Sequence, residues 1–187
     1  MSKYKEKTDE ELMRLLVKGD ESAFNEIYFR YSKRILLFMY KMLRQDEARA
    51  QDFTQDVFLK VVEKAEQFDV SKNFKTWVFT LAANHCKNHF RSGAGDVRSE
   101  VHSGSIFTYN QGEKSLDKQW KKEALLQAIL ELDSPYRETF VLRYQENLRI
   151  KEIAKMQNVP EGTIKSRVHK AVSILSTKMR VYRTIEQ

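Results

Sequence analysis

Thr163, Ser166, Lys170 and Ser173 recur at helical spacing near the C-terminal end, flanked by Lys165, Arg167 and His169. Short hydroxyls beside cations suit the major groove of a duplex. Small side chains let the helix approach base edges, and Lys and Arg neutralise phosphates. A second set lies at Trp77, Thr80, Asn84, Lys87, Asn88 and Arg91. Amides that read base edges, cations that meet phosphates and an indole that stacks or wedges suit single-stranded DNA. A third set, Asp52, Gln55, Asp56, Leu59 and Glu63, puts one Leu among acids. An apolar centre with a charged rim is the pattern of a protein-binding spot.

Catalytic chemistry has little to work with. No paired carboxylates, no nucleophile beside a base and no phosphate-cradling Gly loop occur. An enzyme is therefore the class the residues support least. Cys86 is the single cysteine, which excludes an internal disulfide framework and a multi-cysteine metal site. His85 and His89 are four apart, a spacing that can bind metal, but no third ligand lies near them in sequence. Neither a metal nor a cofactor is expected. Cys86 reads as core packing.

The elements that must carry these sets all read as helices. Thr8 to Glu11 is a capping box, followed by a short helix to Lys18 and a left-handed stop at Gly19. A second helix is expected from about Glu21 to Arg44, with Phe24, Ile27, Tyr28, Tyr31, Ile35, Phe38, Met39 and Met42 as its apolar stripe. A third is expected from about Asp46 to Gln67, burying Ala50, Phe53, Val57, Val61 and Ala65. After a polar loop at 68–73, a fourth runs from about Phe74 to Arg91, with Val78, Phe79, Ala82, Cys86 and Phe90 on one side. Four of the six glycines then fall between Arg91 and Leu116, with no helical period. This stretch reads as a linker, in which Phe107 and Tyr109 can dock on a neighbour.

Beyond it, Trp120, Ala124, Leu125, Ala128, Ile129 and Leu132 keep helical spacing. Asp133, Ser134 and Pro135 close that helix and open the next, where Phe140, Val141 and Tyr144 continue the pattern. Ile150, Ile153 and Ala154 mark a short helix, broken by Asn158, Val159 and Pro160. A last helix opens at Glu161 and buries Ile164, Val168, Ala171, Val172 and Leu175. Two short helices around a tight turn, the second of them basic, describe a helix-turn-helix. The expected fold class is all-α: two small helical domains, 1–92 and 118–187, joined by a flexible linker at 93–117.

Composition agrees with this layout. The 187 residues carry a net charge of +7, and only 6 Gly and 2 Pro argue against a turn-rich β chain. Lys and Arg exceed Asp and Glu by three over 1–94 and by five over 119–187, and fall one short over 95–118. A basic surface favours nucleic acid or an anionic membrane. No run approaches the ~20 apolar residues that cross a bilayer. The polar start at residues 1–7 has no apolar stretch behind it. A cytoplasmic protein without membrane insertion is expected.

Residues 132–144 (LDSPYRETFVLRY), 151–154 (KEIA) and 161–171 (EGTIKSRVHKA) resemble region 4 of the bacterial sigma-70 family, in its extracytoplasmic function (ECF) branch. Residues 50–61 (AQDFTQDVFLKV) resemble the region 2 helix that docks on the β′ clamp helices of RNA polymerase. Residues 74–79 (FKTWVF), 82–84 (AAN) and Phe90-Arg91 resemble the segment that recognises and melts the minus-10 element. The linker holds no recognisable region 3, the layout of the ECF branch. Asn88 stands where the family often has an acid, and Pro160 where it often has a Ser cap.

The resemblance implies three sets of site residues. Arg149, Thr163, Lys165, Ser166, Arg167 and Lys170 would contact minus-35 duplex. Lys72, Asn73, Trp77, Asn84, Lys87, Asn88 and Arg91 would contact unpaired minus-10 DNA. Asp52, Gln55, Asp56, Leu59 and Glu63 would bind core polymerase. The implied partners are core RNA polymerase (β′ clamp helices and β flap), promoter DNA and an anti-sigma factor. The residues alone also admit a stand-alone helix-turn-helix regulator acting without polymerase, or an interaction module that no longer binds DNA.

Overall fold

The computed structural model describes residues 4–92 and 116–184, which fall in two compact units. Among them every regular element is helical. The expected linker, with Phe107 and Tyr109, lies outside the described residues apart from its last two positions.

Unit 1 holds α1 (Asp9–Val17), α2 (Glu21–Met42), α3 (Glu47–Glu63), a 3-10 turn (Ala65–Gln67) and α4 (Phe74–Arg91). Each helix start is dictated locally. At α1, Thr8 N donates to Glu11 Oε2 at 2.7 Å and Glu11 N to Thr8 Oγ1 at 3.2 Å, the reciprocal capping box. Asp20, Asp46 and Asn73 accept from Ala23, Arg49 and Thr76 amides and open α2, α3 and α4. Gly19 stops α1 at φ +85°. The second helix ends at Met42, short of Arg44, because Arg44 and Gln45 take left-handed backbone at φ 54° and 73°. The third ends at Glu63, and the 3-10 turn takes the rest of its expected length.

The core of unit 1 is built from Leu12, Met13, Ile27, Ile35, Phe38, Met39, Val57, Val61, Phe74, Val78 and Phe79. Burying each such side chain contributes roughly 1.5–3 kcal/mol. Phe68, expected at the edge of a polar loop, is buried with them. Two expectations are corrected here. Tyr28 lies on the rim of its stripe, exposed, with its ring 4.8 Å from that of Phe58. Phe90 is 43% exposed, because the last turn of α4 runs past the core.

Unit 2 holds α5 (Leu116–Leu130), α6 (Ser134–Phe140), a π turn (Val141–Gln145), α7 (Ile150–Gln157) and α8 (Glu161–Thr184). Helices α5, α6 and α7 all pack on α8. Ala128, Ile129, Leu132, Leu142, Leu148, Ile153, Ile164 and Ala171 form the core. Leu125 and Tyr144 are exposed rather than buried, and so is Val172, at 36%. Val172 follows Ala171 by one residue, about 100° around the helix, and so sits at the edge of the buried face. Arg137 is buried and donates from Nη1 to the Leu130 carbonyl at 2.7 Å, satisfying the C-terminal end of α5.

Candidate functional site

The helix-turn-helix geometry follows from one left-handed residue. Asn158 sits at φ 53° and ψ 50° as the C-cap of α7. Its amide donates to the Lys155 carbonyl at 3.3 Å, and Val159 N to Ala154 O at 3.1 Å. Pro160 turns the chain into α8, whose Thr163 and Ile164 amides donate to the Pro160 carbonyl at 3.0 and 3.3 Å. Pro160 lacks the hydroxyl of a Ser cap, and its carbonyl serves instead to start the helix at Glu161.

Lys165, Ser166, His169, Lys170 and Ser173 are exposed on α8, with Thr163 half-buried at their edge. Arg149 is exposed at the start of α7, where its amide donates to Glu152 Oε2 at 2.6 Å. Arg167 is half-buried and donates from Nη1 to Gln157 Oε1 at 2.6 Å. The six residues expected at minus-35 thus gather on α8 and the start of α7, with Arg167 held from behind.

On α4, Asn84, Lys87, Asn88 and Arg91 are exposed, and Arg91 Nη2 donates to Asn88 Oδ1 at 3.3 Å. Trp77 is half-buried. Its ring lies 5.0 Å from Phe68 and 5.8 Å from Phe74, so it packs against the core and also borders solvent. The preceding loop is internally tied. Lys72 Nζ pairs with Asp69 Oδ2 at 2.8 Å, and Ser71 donates twice to Asp69 Oδ1. These bonds, that of Lys72 above all, hold the Asp69 carboxyl well below the usual carboxylate range. Asn73 spends Oδ1 on the α4 cap. Glu10 of α1 reaches across to accept from Phe74 N at 2.9 Å. That contact spans 64 residues and carries no sequence signal.

On α3, Asp52, Gln55 and Glu63 are exposed, and Leu59 is 59% exposed. Val62, also exposed, extends the apolar centre by one helical step. Asp56 has a second role. Its Oδ2 lies 2.9 Å from His85 Nε2 on α4. Lys60 Nζ lies 2.8 Å from the other ring nitrogen, Nδ1. Burial first, and then the Lys60 charge, hold the His85 imidazole below the usual histidine range. Sequence reasoning weighed His85 only as a metal ligand and passed over Gln157. Neither has a local signal, because their partners are on other helices. Among the described residues, no group of three His, Cys, Asp or Glu side chains gathers as a metal site.

Comparison with known proteins places both units. Residues 27–95 match the family described as Sigma-70 region 2, and residues 122–175 match Sigma-70, region 4. The ECF RNA polymerase sigma factor SigW of Bacillus subtilis is 30% identical over 173 residues, covering 87% of this chain and 92% of that protein. This chain belongs to the sigma-70 family, in its ECF branch. A second ECF member, BldN of Streptomyces coelicolor, is 29% identical over 89% of this chain and 64% of its own length. Two solved structures share the fold. CnrH, in complex with the cytosolic domain of CnrY, has TM-score 0.68 and 18% identity, over 92% of this chain and 97% of that one. The sigma factor RpoE of Bartonella quintana, in complex with the anti-sigma factor NepR, has TM-score 0.69 and 23% identity, over 84% and 97%. In this ECF chain, α3 and α4 fall within the region 2 match, and α7 with the first half of α8 within the region 4 match. Among the described residues, no helix is long and apolar enough to cross a membrane.

Proposed function

We propose that this ECF sigma factor binds core RNA polymerase and directs it to its promoters, with residues 1–92 docking polymerase and engaging minus-10 DNA, 93–117 linking, and 118–187 reading minus-35 DNA. The observation that carries the reading is the pairing, in one chain and in order, of a region 2 match with a region 4 match, each bearing the expected exposed face. Asp52, Gln55, Asp56, Leu59 and Glu63 form the polymerase contact, centred on Leu59. Arg149, Thr163, Lys165, Ser166, Arg167 and Lys170 grip the minus-35 duplex.

Lys72, Asn73, Trp77, Asn84, Lys87, Asn88 and Arg91 hold the unpaired minus-10 strand. Binding only the open form lowers the cost of strand separation, since a ligand shifts an equilibrium by its difference in affinity for the two states. The protein performs no covalent step of its own and acts in the cytoplasm, where polymerase and DNA are. The β flap is a further contact. Two solved relatives carry bound partner proteins, which supports an anti-sigma factor as this chain's regulator.

Pull-down of purified core polymerase, followed by run-off transcription on genomic fragments, tests the reading. Binding with new specific transcripts supports it. Duplex DNA binding without polymerase binding would favour a stand-alone regulator.

A further inference from the structure

His85 stands between Asp56, an acid of the face assigned to polymerase, and Lys60, one turn further along the same helix. Its side chain is 18% exposed, while that of Asp56 is 46% exposed. Lys60 Nζ, 2.8 Å from Nδ1, has only hydrogens to offer, so Nδ1 accepts and carries no proton. The ring proton therefore sits on Nε2, which donates to Asp56 Oδ2 at 2.9 Å. The partners fix the tautomer. The Phe53 ring closes one side of the imidazole, its centroid 4.2 Å away. The titratable and charged groups facing His85 are Asp56 and Lys60 of α3 and His89 of α4, with Arg49 of α3 against His89 at 3.4 Å.

Asp56 and Lys60 are four apart on α3, a spacing at which Asp and Lys pair directly. Here a rigid ring from the next helix is interposed, and each charge is held by a planar group with few rotamers. We propose that neutral His85 is a positioning residue for polymerase docking, holding the Asp56 carboxylate and the Lys60 ammonium in register on α3, and that its protonation weakens docking. An imidazolium has no acceptor. Nδ1–H would meet Lys60 as cation against cation, and that bond is lost. The Asp56 contact becomes a full ion pair, which draws negative charge away from the face. The proposal rests on the reading that α3 docks polymerase.

The test measures affinity of the full chain for purified core polymerase from about pH 7.5 to about pH 4.5, reaching below the ordinary histidine range because burial and the Lys60 charge depress His85. His85→Gln keeps a donor and an acceptor but takes up no proton. The wild type is expected to lose about fivefold more affinity than His85→Gln over that range, the ceiling for one exposed ion pair. Lys60→Met removes a cation that disfavours imidazolium, so its acid loss should begin at higher pH. Nitrogen-resolved imidazole NMR of the full chain should show the proton on Nε2 at neutral pH. Superimposable pH profiles for wild type, His85→Gln and Lys60→Met overturn the positioning role. A double variant, Asp56→Asn with Leu59→Ala, separates the two readings. If it binds core as tightly as wild type, the docking face is wrong. If it binds weakly while the other profiles superimpose, only the role of His85 is wrong.

Discussion

Arg167 on α8 is held by Gln157 on α7, Nη1 to Oε1, at 2.6 Å. Gln157 is itself fixed. The Thr139 hydroxyl donates to the Pro135 carbonyl at 2.7 Å, so Thr139 Oγ1 accepts from Gln157 Nε2 at 3.2 Å. Three helices thus set the amide's orientation, and the amide sets one edge of the guanidinium. Gln157→Ala should weaken binding to minus-35 duplex while leaving its salt slope unchanged, since no charge is lost. Arg167→Ala should weaken binding and reduce the slope by about 1. A double-mutant cycle on DNA binding should show the two losses to be non-additive, because Gln157 acts through Arg167. Additive losses would mean that Arg167 acts independently of Gln157.

Leu59 is the apolar centre of the α3 face. Leu59→Ala together with Asp56→Asn should weaken affinity for core polymerase about fivefold or more, as expected for truncating an interface centre. Binding of the full chain to minus-35 duplex should not change. Equal loss in both assays would point to a folding defect, and circular dichroism checks for one.

Trp77 links the core to the minus-10 face. Removing its ring contacts with Phe68 and Phe74 through Trp77→Ala should cost about 1 kcal/mol or more of stability, read by urea unfolding. Trp77→Leu keeps apolar bulk but not the flat ring. It should remain folded and show slower strand opening, measured with a fluorescent base analogue at minus-10. Wild-type opening by a folded Trp77→Leu would leave Trp77 a packing residue only.

Tyr31 donates its phenol to Asp9. Burial, and then this bond to a carboxylate, raise the Tyr31 pKa far above the usual phenol range. The sign follows directly. The folded state favours the protonated phenol, so this stability is fully present below the ordinary value of ~10 and declines as pH rises above it. Denaturant midpoints should fall on the alkaline side of ~10, and Tyr31→Phe should flatten that decline. A Tyr31→Phe curve parallel to wild type would show that other groups govern alkaline stability.

Much of this protein was legible in its residues. The Thr8–Glu11 box and the stop at Gly19 act over three or four residues, and the sequence states them outright; the caps at Asp20, Asp46 and Asn73 are as local, but sequence reasoning did not name them. The bounds of α4 and the turn at Asn158–Pro160 follow from the same local rules. Periodicity also found most of the core. It failed at the margins of each stripe. Tyr28, Leu125 and Val172 lie at helical spacing yet face solvent. A stripe gives a direction, whereas its buried width depends on which helix packs against it.

Contacts between helices were beyond the sequence. Glu10 on the Phe74 amide, Gln157 on Arg167, and His85 between Asp56 and Lys60 join residues 64, 10, and 25 to 29 positions apart. Asp56 read from α3 alone is one more exposed acid. Only the packing of α4 against α3 supplies the ring that takes one of its oxygens. Local hydrogen bonding and 3.6-residue periodicity are properties of a segment and so are written in it. The pairing of side chains across helices depends on how whole segments dock, and it exists only once the tertiary structure has formed.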